Sequence, residues 1–169
     1  GYTSPVSTST LAAEVAGTQI AGVFLDSATG SWTALPLSPS SSTCEGYRVD
    51  ASTDINFTGA LFSSSTLQPG LAALTVPGLA HNTTYYFRAL AYNRLGSGQS
   101  QYNSAVSTAT LAKAPGIPGW KVYNTSLSVI LAPNTNPAGT EVWITSDAFQ
   151  ADTSSVGVLG AGNITQTMF

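Results

Sequence analysis

Short runs of alternating apolar and polar residues, broken by clusters of Gly, Pro, Asn and Ser, follow one another along this chain. That pattern predicts β-strands. In the clearest run, Tyr85 to Tyr92, Tyr85, Phe87, Ala89 and Ala91 fall on one face, and Tyr86, Arg88, Leu90 and Tyr92 on the other. Asn93 to Gly98 read as a loop, and Ala105 to Leu111 as the next strand. No segment repeats its apolar residues with a period of 3.6, and the helix formers Lys, Glu and Arg are scarce. Short strands at regular spacing predict an all-β fold of the sandwich type.

The strands recur. Residues 2–12 read YTSPVSTSTLA and residues 102–112 read YNSAVSTATLA, identical at eight of eleven positions across a spacing of 100. Self-similarity at a fixed period marks a tandem array. Laying Ile20-Ala21-Gly22-Val23 over Ile117-Pro118-Gly119-Trp120 sets Trp32 opposite Val129 and Pro36 opposite Pro133. It also sets Tyr47 to Asp54 opposite Thr140 to Asp147, with Asn56-Phe57-Thr58 near Phe149. The expected organisation is a closing strand of a preceding or neighbouring repeat at 1–12, a whole domain at 13–112, and a partial domain at 113–169. The partial domain lacks counterparts of the Tyr85 and Val106 strands.

Composition narrows the setting. Among 169 residues 43% are hydrophobic, enough for a core, yet only 8% are charged, against about 25% in an average domain. Hydroxyls and amides supply the polarity instead, which suits a secreted wall, sheath or stalk and predicts an extracellular or cell-surface location. Without an initiator Met or a signal peptide, the expectation is a processed export product or a piece of a longer chain. The net charge is −3, and the five basic residues Arg48, Arg88, Arg94, Lys113 and Lys121 are scattered, which argues against nucleic acid as a partner. No run of ~18 apolar residues is present, so no membrane insertion is expected. Cys44 is single and forms no internal disulfide.

Candidate chemistry is thin. Of eight acids, the closest set is Glu45, Asp50 and Asp54. Glu45 and Asp50 are five residues apart and face opposite sides of a strand, while Asp54 follows in a turn. They read as solvated loop acids, with a surface calcium on Asp50 or Asp54 as the minor alternative. There is no Cys/His cluster, Gly160-Ala161-Gly162 is followed by neither a helix nor a Lys, and His81 has no nucleophile-elbow partner. No catalytic residue, metal ligand or cofactor is expected. Four Asn-x-Ser/Thr sites, at Asn56, Asn82, Asn124 and Asn163, are the candidate glycosylation positions. Tyr86, Tyr92 and Trp143 read as strand-surface packing, with stacking on sugar rings as the alternative.

The stretch Leu79-Ala80-His81-Asn82-Thr83-Thr84-Tyr85-Tyr86-Phe87-Arg88-Ala89 resembles the signature of fibronectin type III domains, with His81 in place of the usual Pro. Asn136-Pro137-Ala138-Gly139-Thr140-Glu141 is similar to bacterial tandem arrays of that family. The resemblance implies immunoglobulin-like sandwiches, one complete and one partial, with an extra N-terminal strand. It implies a tyrosine corner in which the Tyr85 hydroxyl bonds back to backbone near Leu79 or Ala80, and Trp32 as the core tryptophan. The expected core is Trp32, Tyr47, Val49, Leu79, Tyr85 and Phe87. Arg94-Leu95-Gly96 stands where some animal relatives carry an integrin-binding tripeptide, and reads here as a hairpin loop.

The function this implies is non-enzymatic, extracellular, and structural or adhesive: part of a surface filament, sheath or long array. Its expected partners are copies of itself or adjacent repeats, and a surface polysaccharide is a further candidate. Two assemblies stay open, a longer array and a filament in which Tyr2, Val6, Thr8, Thr10 and Leu11 of one subunit add as a strand to another. The alternative function is a spacer or weak carbohydrate-binding module of a secreted polysaccharide-degrading enzyme.

Overall fold

A computed structural model describes residues 3–6, 8–39, 42–94, 100–145 and 153–168, and these form strands and loops without a helix. The chain divides into two compact units, Gly1–Leu79 with Thr84–Thr110, and Ala80–Thr83 with Leu111–Phe169.

The first unit holds β1 (Ala16–Val23), β2 (Ser27–Thr33), β3 (Gly46–Ser52), β4 (Phe62–Thr66), β5 (Ala73–Pro77), β6 (Thr84–Tyr92) and β7 (Val106–Ala109). One sheet runs β1-β2-β5 and the other β4-β3-β6-β7, with every pairing antiparallel. Three strands against four in this order is the fibronectin type III form of the immunoglobulin-like sandwich. Alternation explains the layers. Tyr85, Phe87, Ala89 and Ala91 of β6, and Tyr47, Val49 and Ala51 of β3, are buried against Trp32, Ala28 and Val76. The Trp32 and Tyr47 rings lie 5.0 Å apart, and Phe62 meets Tyr85 edge-on at 5.8 Å. Each large side chain so buried contributes about 1.5–3 kcal/mol. The Tyr47 hydroxyl also accepts from Leu35 N–H at 2.7 Å and donates to the Pro69 carbonyl at 3.1 Å, tying two loops to the core.

The last strand is shorter than the sequence suggests, and side chains extend it. Ahead of β7, Asn103 donates from its backbone to Ala89 O and accepts from Ala89 N–H through Oδ1, at 3.2 and 2.7 Å. Ser100 repeats the arrangement on Ala91 at 2.8 and 2.9 Å. An amide and a hydroxyl thus stand in for backbone carbonyls, and the chain departs from the pleat without leaving β6 unpaired.

The second unit holds β8 (Gly116–Val122), β9 (Leu127–Ala132), β10 (Glu141–Thr145), β11 (Thr153–Val158) and β12 (Ile164–Met168), in sheets β12-β9-β8 and β10-β11. Its core is Val129, Leu131, Val142 and Leu159, with Leu127, Ile144 and Ile164 against them. The β8–β9 hairpin repeats the β1–β2 hairpin. Val23 pairs with Ala28 and Val122 with Leu127, and the turns close through Phe24 N–H to Ser27 O and Tyr123 N–H to Ser126 O. This register corrects the sequence alignment: Trp32 corresponds to Leu131, not to Val129. Ile20 pairs with Gly30 and Trp120 with Val129, so Ile20 falls on Trp120, three residues beyond Ile117, and the one further irregularity of β1 accounts for one residue of that offset. The Ile-x-Gly similarity between the hairpins is therefore not a structural match.

Among the described residues β10 pairs with β11 alone, whereas its counterpart β3 lies between β4 and β6. Tyr2, Leu95 to Gly98, Asp147, Phe149 and Asp152 lie outside the described residues.

Candidate functional site

The first site is one the sequence reading placed in solvent. Asp50 is fully buried on the outer face of the four-stranded sheet, which corrects its expected role as a solvated loop acid. Strand register explains why: β3 puts Arg48 two residues away on the same face, opposite Ser65 and Leu90, and Asp50 itself lies between Ser63 on β4 and Arg88 on β6. Asp50 Oδ1 accepts from Arg48 Nε at 2.6 Å and from Ser63 Oγ at 2.7 Å. Oδ2 accepts from the Tyr102 hydroxyl at 2.6 Å, with Arg88 Nη2 at 3.8 Å.

Two loops complete the cover. The side-chain pairing of Ser100 and Asn103 carries Tyr102 over the sheet, where its ring lies 3.6 Å from the Arg88 guanidinium carbon. On the other side, Asp54 organises a turn by accepting from Asn56 N–H at 3.0 Å, from Thr58 N–H at 3.2 Å and from the Thr58 hydroxyl. That turn holds Phe57 at φ 57° and lays its ring 3.9 Å from the same guanidinium. Arg88 is therefore stacked between two rings, a cation–π arrangement. Its buried Nε has no hydrogen-bond partner among the described residues.

The electrostatics follow. Burial opposes the Arg48 cation, but the hydrogen bond and charge of Asp50 outweigh it and hold the Arg48 pKa above its ordinary value. Burial, then the bond to Asp50, push the Tyr102 phenol up. The Thr58 hydroxyl, then the backbone N–H of Asn56, hold the Asp54 carboxyl below the usual range. Both oxygens of Asp50 are occupied by protein donors, so the geometry is that of a fixed anchor joining β3, β4, β6 and the segment before β7.

The second site is an apolar groove of the second unit, with a volume of about 390 Å³, lined among others by Pro115, Ile117, Val129, Leu131, Trp143 and Ile144. Trp143 is 65% exposed and Ile117 59%. In the first unit the inward residues of β2, β3 and β6 are buried in one cluster. A third feature is a shallower groove carrying Trp120, Lys121, Tyr123, Ser128, Ile130 and Thr165, where Lys121 Nζ lies 5.2 Å from the Tyr123 ring.

Trp32, Tyr47, Val49, Leu79, Tyr85 and Phe87 are all buried in one cluster of the first unit, and Cys44 with them. Val6, Thr8, Thr10 and Leu11 are exposed and carry no strand, Val6 being 99% exposed. Asn56, Asn124 and Asn163 are exposed in turns or loops. Asn82 is half-buried and donates through Nδ2 to Thr140 Oγ1 at 2.8 Å. Tyr86 and Tyr92 are half-buried. Among the described residues, no three His, Cys, Asp or Glu side chains converge to hold a metal, and no helix is long and apolar enough to cross a membrane. The Asp50 cluster is what sequence reasoning missed. Its only local signal was Arg48 at i−2, since the other partners come from distant strands and loops.

No protein-family model matches the chain, and no curated protein matches it in sequence. Solved structures are similar to it. The FN5 domain of Drosophila Lar is 19% identical over 61% of this chain and 100% of its own, with a TM-score of 0.47. The fibronectin type III domain of human fibronectin type III domain containing protein 3 is 19% identical over 63% of this chain and 93% of its own, at 0.48. A crystal structure of titin domains is 23% identical over 61% of this chain and 33% of its own, at 0.48. These are likenesses of fold, and the assignment of the sandwich rests on the strand order itself.

Proposed function

We propose that this chain is a non-enzymatic structural segment of an extracellular, bacterial surface array, in which β-sandwiches follow one another in tandem as rigid spacers. The observation that carries this reading is the recurrence of β1, β2 and β5 as β8, β9 and β12, with the same hairpin closure in both units. The segment leading into the second unit is held to it: Lys113 N–H donates to Asn136 Oδ1 at 2.8 Å, and Asn136 Nδ2 donates to Lys113 O at 2.7 Å. Pro115 and Pro118 remove two backbone donors close by, which blunts that edge against unwanted pairing. A surface poor in charge and rich in hydroxyls and amides suits a wall or sheath.

The test is to append a copy of residues 78–112 after Phe169, reproducing the spacing of the first unit, in which Val76 holds the register position of Met168. If the second unit is a repeat of the same sandwich, the added strands cover Trp143, and quenching of its fluorescence by acrylamide falls. Undiminished quenching refutes the tandem reading. A second reading, an accessory module that binds polysaccharide, is favoured by one observation: Trp120 at 70% exposure and Tyr123 at 49% flank a groove with hydroxyls and a lysine. Depletion of the protein by insoluble polysaccharides, abolished by Trp120→Ala, tests it.

A further inference from the structure

We propose that β4 of the first unit pairs antiparallel with β4 of a second copy of this chain, about a twofold axis at Ser64, so that two four-stranded sheets join as one. The inference concerns the first unit alone and does not rest on the tandem reading.

β4 ends its sheet in the order β4-β3-β6-β7, and among the described residues no strand pairs with its other side. A bare edge is a template for another strand unless something blunts it. The other three edges of this sandwich are blunted: β1 departs from regular register at two places, β5 ends in Pro77, and β7 has only four residues. β4 carries none of these devices. It holds an unbroken register against β3 from Phe62 to Thr66, and Leu61 to Leu67 contains neither proline nor charge. The alternation continues through both flanks, with Leu61, Ser63, Ser65 and Leu67 exposed and Phe62, Ser64 and Thr66 half-buried.

The segment is complementary to itself. With Ser64 opposite Ser64 of the second copy, antiparallel pairing sets Leu61 opposite Leu67, Phe62 opposite Thr66 and Ser63 opposite Ser65, each twice by symmetry. Leu61 is 43% exposed and Leu67 78%, and this register draws both from water as cross-strand pairs. An aromatic opposite a β-branched residue, and hydroxyl opposite hydroxyl, are likewise favourable pairs. Phe62 packs on the core and meets Tyr85 edge-on, which fixes the strand that offers the edge. Charge agrees with this arrangement. Arg48 lies opposite Ser65 and Asp50 opposite Ser63, so each row across the joined sheet runs from Arg48 through Ser65 to Ser63 and Asp50 of the second copy. A cation stands at one end of every such row and a carboxylate at the other.

Size sets the strength. Residues 61–67 span roughly 24 Å when extended. Such an edge, with its two leucine pairs, buries on the order of 1,000 Å², the low end for specific association. The expected dissociation constant is therefore on the order of 100 µM. Both copies contribute the same surface, so the contact is isologous and closes at two.

The experiment follows the weight-average mass of the full chain by sedimentation from about 5 µM to about 1 mM. The expected result is a mass that rises from 17.3 kDa toward that of two copies and no further. Leu67→Lys and Leu61→Asp, at sites exposed in the free chain, are each expected to weaken association at least about tenfold and to leave Trp32 emission unchanged. Mixed in equal amounts, the two variants are expected to associate again. The pairing sets the introduced acid of one opposite the introduced amine of the other and keeps one leucine pair, a recovery that loss of fold cannot produce. A constant mass overturns the proposal, and so does a mass that climbs past two copies. Association that Leu67→Lys leaves intact overturns it as well, as does a mixture of the two variants that stays monomeric.

Discussion

Replacing Asp50 by Asn tests whether the outer face of the first sheet is an anchor or ordinary surface. Asp50 is fully buried, while the Arg48 and Arg88 side chains retain 28% and 23% exposure. The amide would keep the shape but remove the charge, leaving two guanidinium groups on one sheet face without a counter-ion. Removing one partner of a buried pair costs about 3–5 kcal/mol. Partial hydration of the two arginines lowers that to roughly 2–4 kcal/mol. Against a domain stability of about 5–15 kcal/mol, the change is large and readable. Tyr102→Phe removes one donor at 2.6 Å from the same carboxylate, at a cost of about 1.5–3 kcal/mol. If both act through Asp50, the double variant costs less than the sum of the two. The assay is urea unfolding read from Trp32, the sole tryptophan of residues 1–110, with Trp120→Phe and Trp143→Phe in the background. A local probe is required because two units need not unfold as one. A loss under about 0.5 kcal/mol for Asp50→Asn, the scale of an exposed pair, refutes the reasoning, and so do strictly additive losses.

Three further outcomes follow from the same geometry. Burial pushes the Tyr47 phenol up to about 12, above its unfolded value near 10; its contribution is therefore full below pH 10 and lost as pH rises toward 12. Tyr47→Phe should flatten that alkaline limb of the urea midpoint while costing about 1–2 kcal/mol at neutral pH through two lost hydrogen bonds. Asp54, held low by Thr58 and Asn56, contributes above its unfolded pKa and loses that contribution as pH falls through its folded one. Thr58→Val should make the first unit less sensitive to acid below about pH 4, measured as a smaller shift of the midpoint in that range. A Cβ on Gly46 would sit 2.0 Å from the Thr66 carbonyl oxygen, which only backbone movement relieves. Gly46→Ala should therefore cost more than about 2 kcal/mol and lower the melting temperature by about 10 °C.

The legible part of the fold was whatever alternation alone decides. The run from Tyr85 to Tyr92 announces both its strand and its inward face, and Trp32 and Tyr47 read as core because large aromatics in such runs have nowhere else to go. Asp50 was illegible because its burial depends on register. Ser63, Arg88 and Tyr102 come from other strands and loops, and Leu90, on the nominally outer face, is buried as well. The alignment of Trp32 with Val129 failed because it was anchored on the shared Ile-x-Gly letters, whereas strand pairing sets Ile20 over Trp120. Trp120 and Tyr123 were readable as aromatics, but their exposure depends on which neighbours the second unit places beside them.

The bulge in β1 has a consequence for how a repetitive polypeptide folds. Near-identical neighbours in a long chain misassemble by exchanging equivalent hairpins. Here the two hairpins differ in register and in the side chains they turn inward. One carries an extra residue in its first strand, and a slip of one residue turns every side chain to the wrong side. The other presents Leu127, Val129 and Leu131 where its neighbour leaves space at Gly30 and fills it at Trp32. Each hairpin is thereby keyed to its own layer, and in the proposed tandem array the hairpin of one unit would be a poor substitute for that of the next.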